Sequence, residues 1–137
     1  MTIEQAKEYL GKAFLIDQRI NSKLEQVQSL RSLATRATSI LSDMPKAPGN
    51  THSRENIVVK IIDLENEINS DIDSLIDLKA EIISKIKMVP NVEHQMLLEL
   101  RYICFKSWES IAEDMKFSPP HIFRLRNTAL KEFSKLF

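Results

Sequence analysis

Two long stretches of helical periodicity lie either side of a single break, and this limits the fold more than any other feature. Before the break, apolar residues recur at Ile3, Ala6, Leu10, Ala13, Ile20, Leu24, Val27, Ala34 and Leu41. Those steps of threes and fours form the seam of a coiled-coil-like helix. Asp17, Arg31 and Thr38 interrupt it, while Phe14, Leu30, Leu33, Ala37 and Ile40 widen it. Thr2 and Gln5 have the spacing of a capping box. A helix continuous to Ser42 would span about 60 Å. Gly11 costs about 1 kcal/mol inside a helix, so a kink or early break is open there.

The second stripe, after the break, is Ile57, Ile61, Leu64, Ile68, Ile72, Leu75, Ile82 and Ile86, flanked by Val58, Ile62, Ile76, Leu78 and Ile83. It predicts a helix from about Arg54 to Met88, with Ser53 as its cap. Its other face carries Asp63, Glu65, Glu67, Asp71, Asp73, Asp77 and Glu81, which we read as a solvated surface. The break is DMPKAPGNTHS, residues 43–53, where Pro45 and Pro48 stop a helix and Gly49-Asn50 suits a turn. Two stripes of similar length joined by a short loop predict an antiparallel helical hairpin over 1–88. Such a hairpin leaves an apolar edge that needs the C-terminal segment or another subunit to cover it.

The remaining segment, 89–137, predicts three shorter helices. Pro90 ends the hairpin, Asn91 can cap a helix from Val92 to about Phe105, and Leu97, Leu100, Tyr102 and Ile103 are its core candidates. Ser107 to Asn127 then reads as two helices joined by a tight turn. Ile111 and Ala112 point inward on the first, and Ile122 and Leu125 return to the same core from the second. Ser118 is placed to cap the second helix, and Pro119 and Pro120 occupy its first turn, where prolines do little harm. Lys116 holds the turn position that glycine most often fills, at a cost of about 1 kcal/mol. The last helix continues through Ala129, Leu130 and Phe133 to Leu136. The fold class expected is all-α, and only two glycines in 137 residues fit it.

Basic and acidic side chains balance at 19 each, yet unevenly along the chain. Residues 54–90 carry five basic and eight acidic groups, and 91–115 carry two and five, whereas 116–137 carry five and one. The positive charge thus gathers in the segment holding the second helix of the pair. Helix-turn-helix spacing with local positive charge points to DNA, the second helix lying in the major groove. Its exposed face should carry His121, Arg124, Thr128 and Lys131, with Arg126 as a phosphate contact. Arg124 or His121 could reach base edges.

Leu97 to Phe133 resembles region four of bacterial sigma factors. The likeness rests on Leu100-Arg101-Tyr102, Trp108-Glu109-Ser110-Ile111-Ala112, the Ser118 cap position and Ala129-Leu130-Lys131. With the hairpin in front, the chain resembles small phage and prophage transcription regulators of Gram-positive bacteria, including ArpU-like late regulators; Met44-Pro45 in the loop adds to the likeness. The resemblance implies promoter binding, contact with RNA polymerase and a role for the hairpin in polymerase docking or in pairing as a homodimer. Sigma factors usually begin the recognition helix with Ser followed by Arg and Glu; Pro119, Pro120 and His121 stand here instead, so their sequence preference does not carry over. The alternative reading is a protein-interaction module that binds polymerase or another regulator without reading DNA.

No other chemistry is expected. His52, His94 and His121 have no second ligand at helical spacing, so neither a metal nor any other cofactor is expected. Cys104, the single cysteine, reads as a small buried apolar residue, and Trp108 as core rather than a base-stacking platform. No phosphate loop, catalytic triad or paired carboxylate suggests an enzyme or a small-molecule substrate. The opening MTIEQAKEYL has no leader-like pattern and no apolar run approaches a membrane span, so a cytoplasmic location is expected.

Overall fold

The computed structural model describes the backbone of residues 1–43 and 50–137, and the side chains of 1–37 and 54–137. The loop residues Met44, Pro45, Pro48 and Gly49 lie outside the described residues, as do the side chains of Thr38, Ile40, Leu41, Asn50, His52 and Ser53. Six α-helices and no strand occur among the described residues, so the all-α class holds. They are α1 Ile3–Leu10, α2 Lys12–Asp43, α3 Asn50–Ile86, α4 Val92–Tyr102, α5 Trp108–Met115 and α6 Pro119–Leu136. α3 starts four residues before the expected Arg54, which places Ser53 within the helix rather than at its cap. The chain forms two compact units, residues 17–74 and residues 1–16 with 75–137.

In the first of these, residues 17–74, α2 and α3 run antiparallel. Lys23 meets Asp71 at 2.7 Å and, further along α2, Arg31 meets Glu65 at 2.5 Å further back along α3. Ile20, Val27 and Ile68 are its buried apolar residues. The stripe read from sequence is therefore only partly inward: Leu24, Leu33, Val58, Val59, Ile62 and Ile72 stay exposed. Two helices alone cannot enclose both edges of a stripe this wide.

In the other unit, Thr2 caps α1 through the full reciprocal box, its hydroxyl accepting from the Gln5 amide at 3.1 Å while its own amide donates to Gln5 Oε1 at 2.9 Å. The long first helix does break at Gly11, which closes α1 by donating to Lys7 O at 2.9 Å before α2 starts at Lys12. A single core follows, built on Leu10, Ile82, Ile86, Leu97, Leu130 and Phe133 among others. Phe133 is wholly buried and stacks on Tyr9 with centroids 6.3 Å apart, a burial that contributes about 2–3 kcal/mol. The same core thus holds α6 from its inner side and leaves its outer side in solvent.

Asn91 caps α4 as expected, its side chain accepting from the amides of Glu93 and His94. α4 ends at Tyr102, three residues before the expected Phe105. Phe105 adopts φ 58° and the Lys106 amide returns to Leu100 O at 3.1 Å, so the chain leaves the helix sharply. That turn corrects the reading of Cys104: the thiol is exposed, not buried. No helix among the described residues is long and apolar enough to cross a membrane.

Candidate nucleic-acid interface

The interface is built on α5, the connection 116–118 and α6. Ser107 caps α5, accepting from the Ser110 amide at 3.2 Å. Ile111 is fully buried and Ala112 is 5% exposed, so a larger side chain at 112 would meet the packed neighbours directly. α5 stops at Lys116, which takes the left-handed conformation φ 58°, ψ 40° while its amide returns to Ala112 O and Glu113 O. The Phe117 amide also returns to Ala112 O, at 2.9 Å. The chain thereby reverses in three residues despite having lysine where glycine would be unstrained.

Ser118 occupies the cap position of α6, but its side chain makes no capping hydrogen bond. The reason lies in the two residues that follow. A cap hydroxyl accepts from the second or third amide of the helix, and the second residue here is Pro120. The same prolines remove two of the amide donors that a helix start would otherwise offer to a phosphate. Any anion contact at α6 must come from side chains.

Ile122, Ala129, Leu130, Phe133 and Ser134 form the buried side of α6. On the other side Arg124, Thr128 and Lys131 are exposed, at the three- and four-residue steps of one helix face. His121 begins that stripe half-buried, its ring edge-on to Phe117 with centroids 4.5 Å apart. The Thr128 hydroxyl donates to Arg124 O at 3.0 Å. Lys135, exposed and four residues beyond Lys131, extends the same face. Helical spacing from Lys131 would have shown it in the sequence.

Arg126 stands apart from this stripe. Its guanidinium lies 5.6 Å from the Trp108 ring centroid and 5.1 Å from that of Phe123, and it donates to Asn127 Oδ1 at 3.3 Å. Arg101, which the sequence reading did not single out, lies 4.9 Å from the same indole and donates to Lys106 O at 2.9 Å. The half-buried Trp108 is thus a platform for two guanidiniums. Tyr102 sits beside them: burial pushes its phenol up, against the Arg101 and Arg126 charges that pull it down. Nothing in the local sequence pairs Arg101 with Arg126, since 25 residues and a turn separate them.

The one acidic residue of 116–137 is Glu132, and its carboxylate meets Nδ1 of the buried His94 on α4. The exposed stripe of α6 consequently carries cations with no carboxylate of its own helix among them. Among the described residues no group of three His, Cys, Asp or Glu side chains could hold a metal ion.

No curated protein and no solved structure matches this chain. A family described as "Protein of unknown function (DUF1492)" matches residues 36–134, from within α2 to the last turns of α6, and the chain belongs to that family.

Proposed function

We propose that this chain is a sequence-specific DNA-binding transcription regulator of phage type, with α6 in the major groove of double-stranded DNA. The observation that carries the reading is the exposed α6 face of Arg124, Thr128 and Lys131, extended by Lys135, from which the only nearby carboxylate has been withdrawn by His94. An α-helix fits the major groove, and arginine and lysine on its outer face supply phosphate contacts while Arg124 is placed to reach a guanine edge. Arg126, laid against Trp108, serves as a backbone clamp rather than a base reader. The compact α5–α6 turn at Lys116 and the likeness of 97–133 to sigma region four support the same reading. Polymerase contact, which that likeness also implies, would fall to surfaces outside α6.

Selection from a random duplex library followed by fluorescence titration at low salt tests the proposal. Enrichment of a defined site, with weaker binding by the Arg124→Ala, Lys131→Ala double variant, is the expected result. No binding to any duplex at low salt would overturn it. A second reading, a module that binds polymerase without DNA, is favoured by the two prolines that strip amide donors from the start of α6. Co-purification with polymerase that is unaffected by nuclease treatment, together with no duplex binding, would select it instead.

A further inference from the structure

The hairpin unit 17–74 exposes one apolar face. Along α3, Val58, Ile62, Glu65, Asn69 and Ile72 follow one another in steps of four, three, four and three, an outer coiled-coil seam next to the inner one. Val58 is 48% exposed, Ile62 51% and Ile72 38%, and Leu24 on α2 is 49% exposed. Leu24, Gln28 and Arg31 of α2 and Glu65 and Asn69 of α3 line one groove, so these residues share a single face. The groove on the opposite face is lined with Lys60, Asp63 and Glu67 and is the more charged of the two.

We infer that the Leu24–Ile62–Ile72 face is a self-association surface whose occupant is a second copy of this chain, the two hairpins stacking into a four-helix bundle. Charge selects both the occupant and its orientation. Over 17–37, α2 carries four basic and two acidic side chains, whereas over 54–74, α3 carries two basic and six acidic. A two-fold axis parallel to the helices lays α2 of each copy on α3 of the other, opposite in charge and antiparallel in direction. A two-fold axis across the helices would set α3 on α3, acid against acid. The parallel axis also keeps every residue at its own height. Arg31 and Glu65, already 2.5 Å apart within one hairpin, then meet their equivalents and form a ring of two guanidiniums and two carboxylates. Leu24 falls level with Ile72 of the second copy, because Lys23 and Asp71 fix that height within the hairpin. This inference is independent of the DNA reading, since it concerns a different face and a different partner.

The full chain, in sedimentation velocity, should have twice the 15.8 kDa chain mass. Ile62→Lys should shift it to monomer with unchanged helical circular dichroism, because Ile62 is exposed in the isolated hairpin. Arg31→Glu should weaken association by about tenfold or more, and Arg31→Glu combined with Glu65→Arg should restore it. In a Cys104→Ser background, mixing Leu24→Cys chains with Ile72→Cys chains should give a disulfide-linked dimer that neither forms alone. A monomer mass at high micromolar concentration, or a dimer untouched by Ile62→Lys, would overturn the inference. So would mixed chains that fail to cross-link, and a face occupied by another protein would show as that monomer.

Discussion

The buried imidazole of His94 on α4 meets the carboxylate of Glu132 on α6, and this contact both ties the two helices together and clears acid from the exposed face of α6. Replacing Glu132 with alanine leaves a buried ring nitrogen without its acceptor. Such a loss costs about 1–3 kcal/mol, seen as a lower urea midpoint at an unchanged m-value. DNA affinity of the folded variant should not fall, since no cation of the α6 stripe is removed. A variant as stable as the parent would show that the pair contributes nothing to packing α4 on α6.

Lys116 stands at φ 58° between α5 and α6, a conformation that glycine adopts without penalty. Lys116→Gly should raise stability by about 1 kcal/mol. Lys116→Ala keeps the strain and should give no such gain. Chemical denaturation of the two variants side by side separates backbone strain from loss of the lysine charge.

Trp108 lies within reach of two guanidiniums, Arg101 at 4.9 Å and Arg126 at 5.6 Å from its ring centroid. A double-mutant cycle between Trp108→Leu and Arg126→Gln should give a coupling of about 0.5–1 kcal/mol in unfolding free energy. Zero coupling would mean that Arg126 is placed by Asn127 and the helix backbone alone.

Burial pushes both tyrosine phenols up from their ordinary value of 10.0, Tyr9 beside Lys85 and Tyr102 beside the two arginines. The unfolded chain ionises these phenols first as pH rises, so their contribution to stability is complete below about pH 10 and is lost above it. Absorbance titration of the folded protein should show tyrosinate forming later than in the urea-unfolded chain. Stability should fall through the same alkaline range, less steeply in Tyr102→Phe.

The elements that the sequence made legible are those set by local rules. The Thr2 box, the Asn91 cap, the left-handed turn at Lys116 and the bounds of α6 at Pro119 and Leu136 all depend on residues within a few positions of one another. The misses come from context at longer range. Cys104 looked apolar and buried, but the positive φ of the neighbouring Phe105 turns the chain outward there. Ser118 had the right residue type for a cap, yet Pro120 removes one of the two amides it could accept from. The α2–α3 stripe was read correctly as a hairpin, while the exposure of Leu24 and Ile62 depends on how few neighbours two helices provide. In the candidate interface, Arg124, Thr128 and Lys131 share the face that periodicity assigned them. The Arg101–Trp108–Arg126 cluster joins α4, α5 and α6 and has no signature in any one of them.

The central claim is that α6 binds duplex DNA through side-chain cations. It is tested most directly by the salt dependence of affinity for a selected duplex, comparing the parent chain with the Arg124→Ala, Lys131→Ala variant. The account predicts parent affinity falling steeply with salt and a log–log slope shallower by about 2 in the variant, close to one unit for each lost phosphate contact. Equal slopes and affinities for the two chains, with circular dichroism showing both folded, would contradict it.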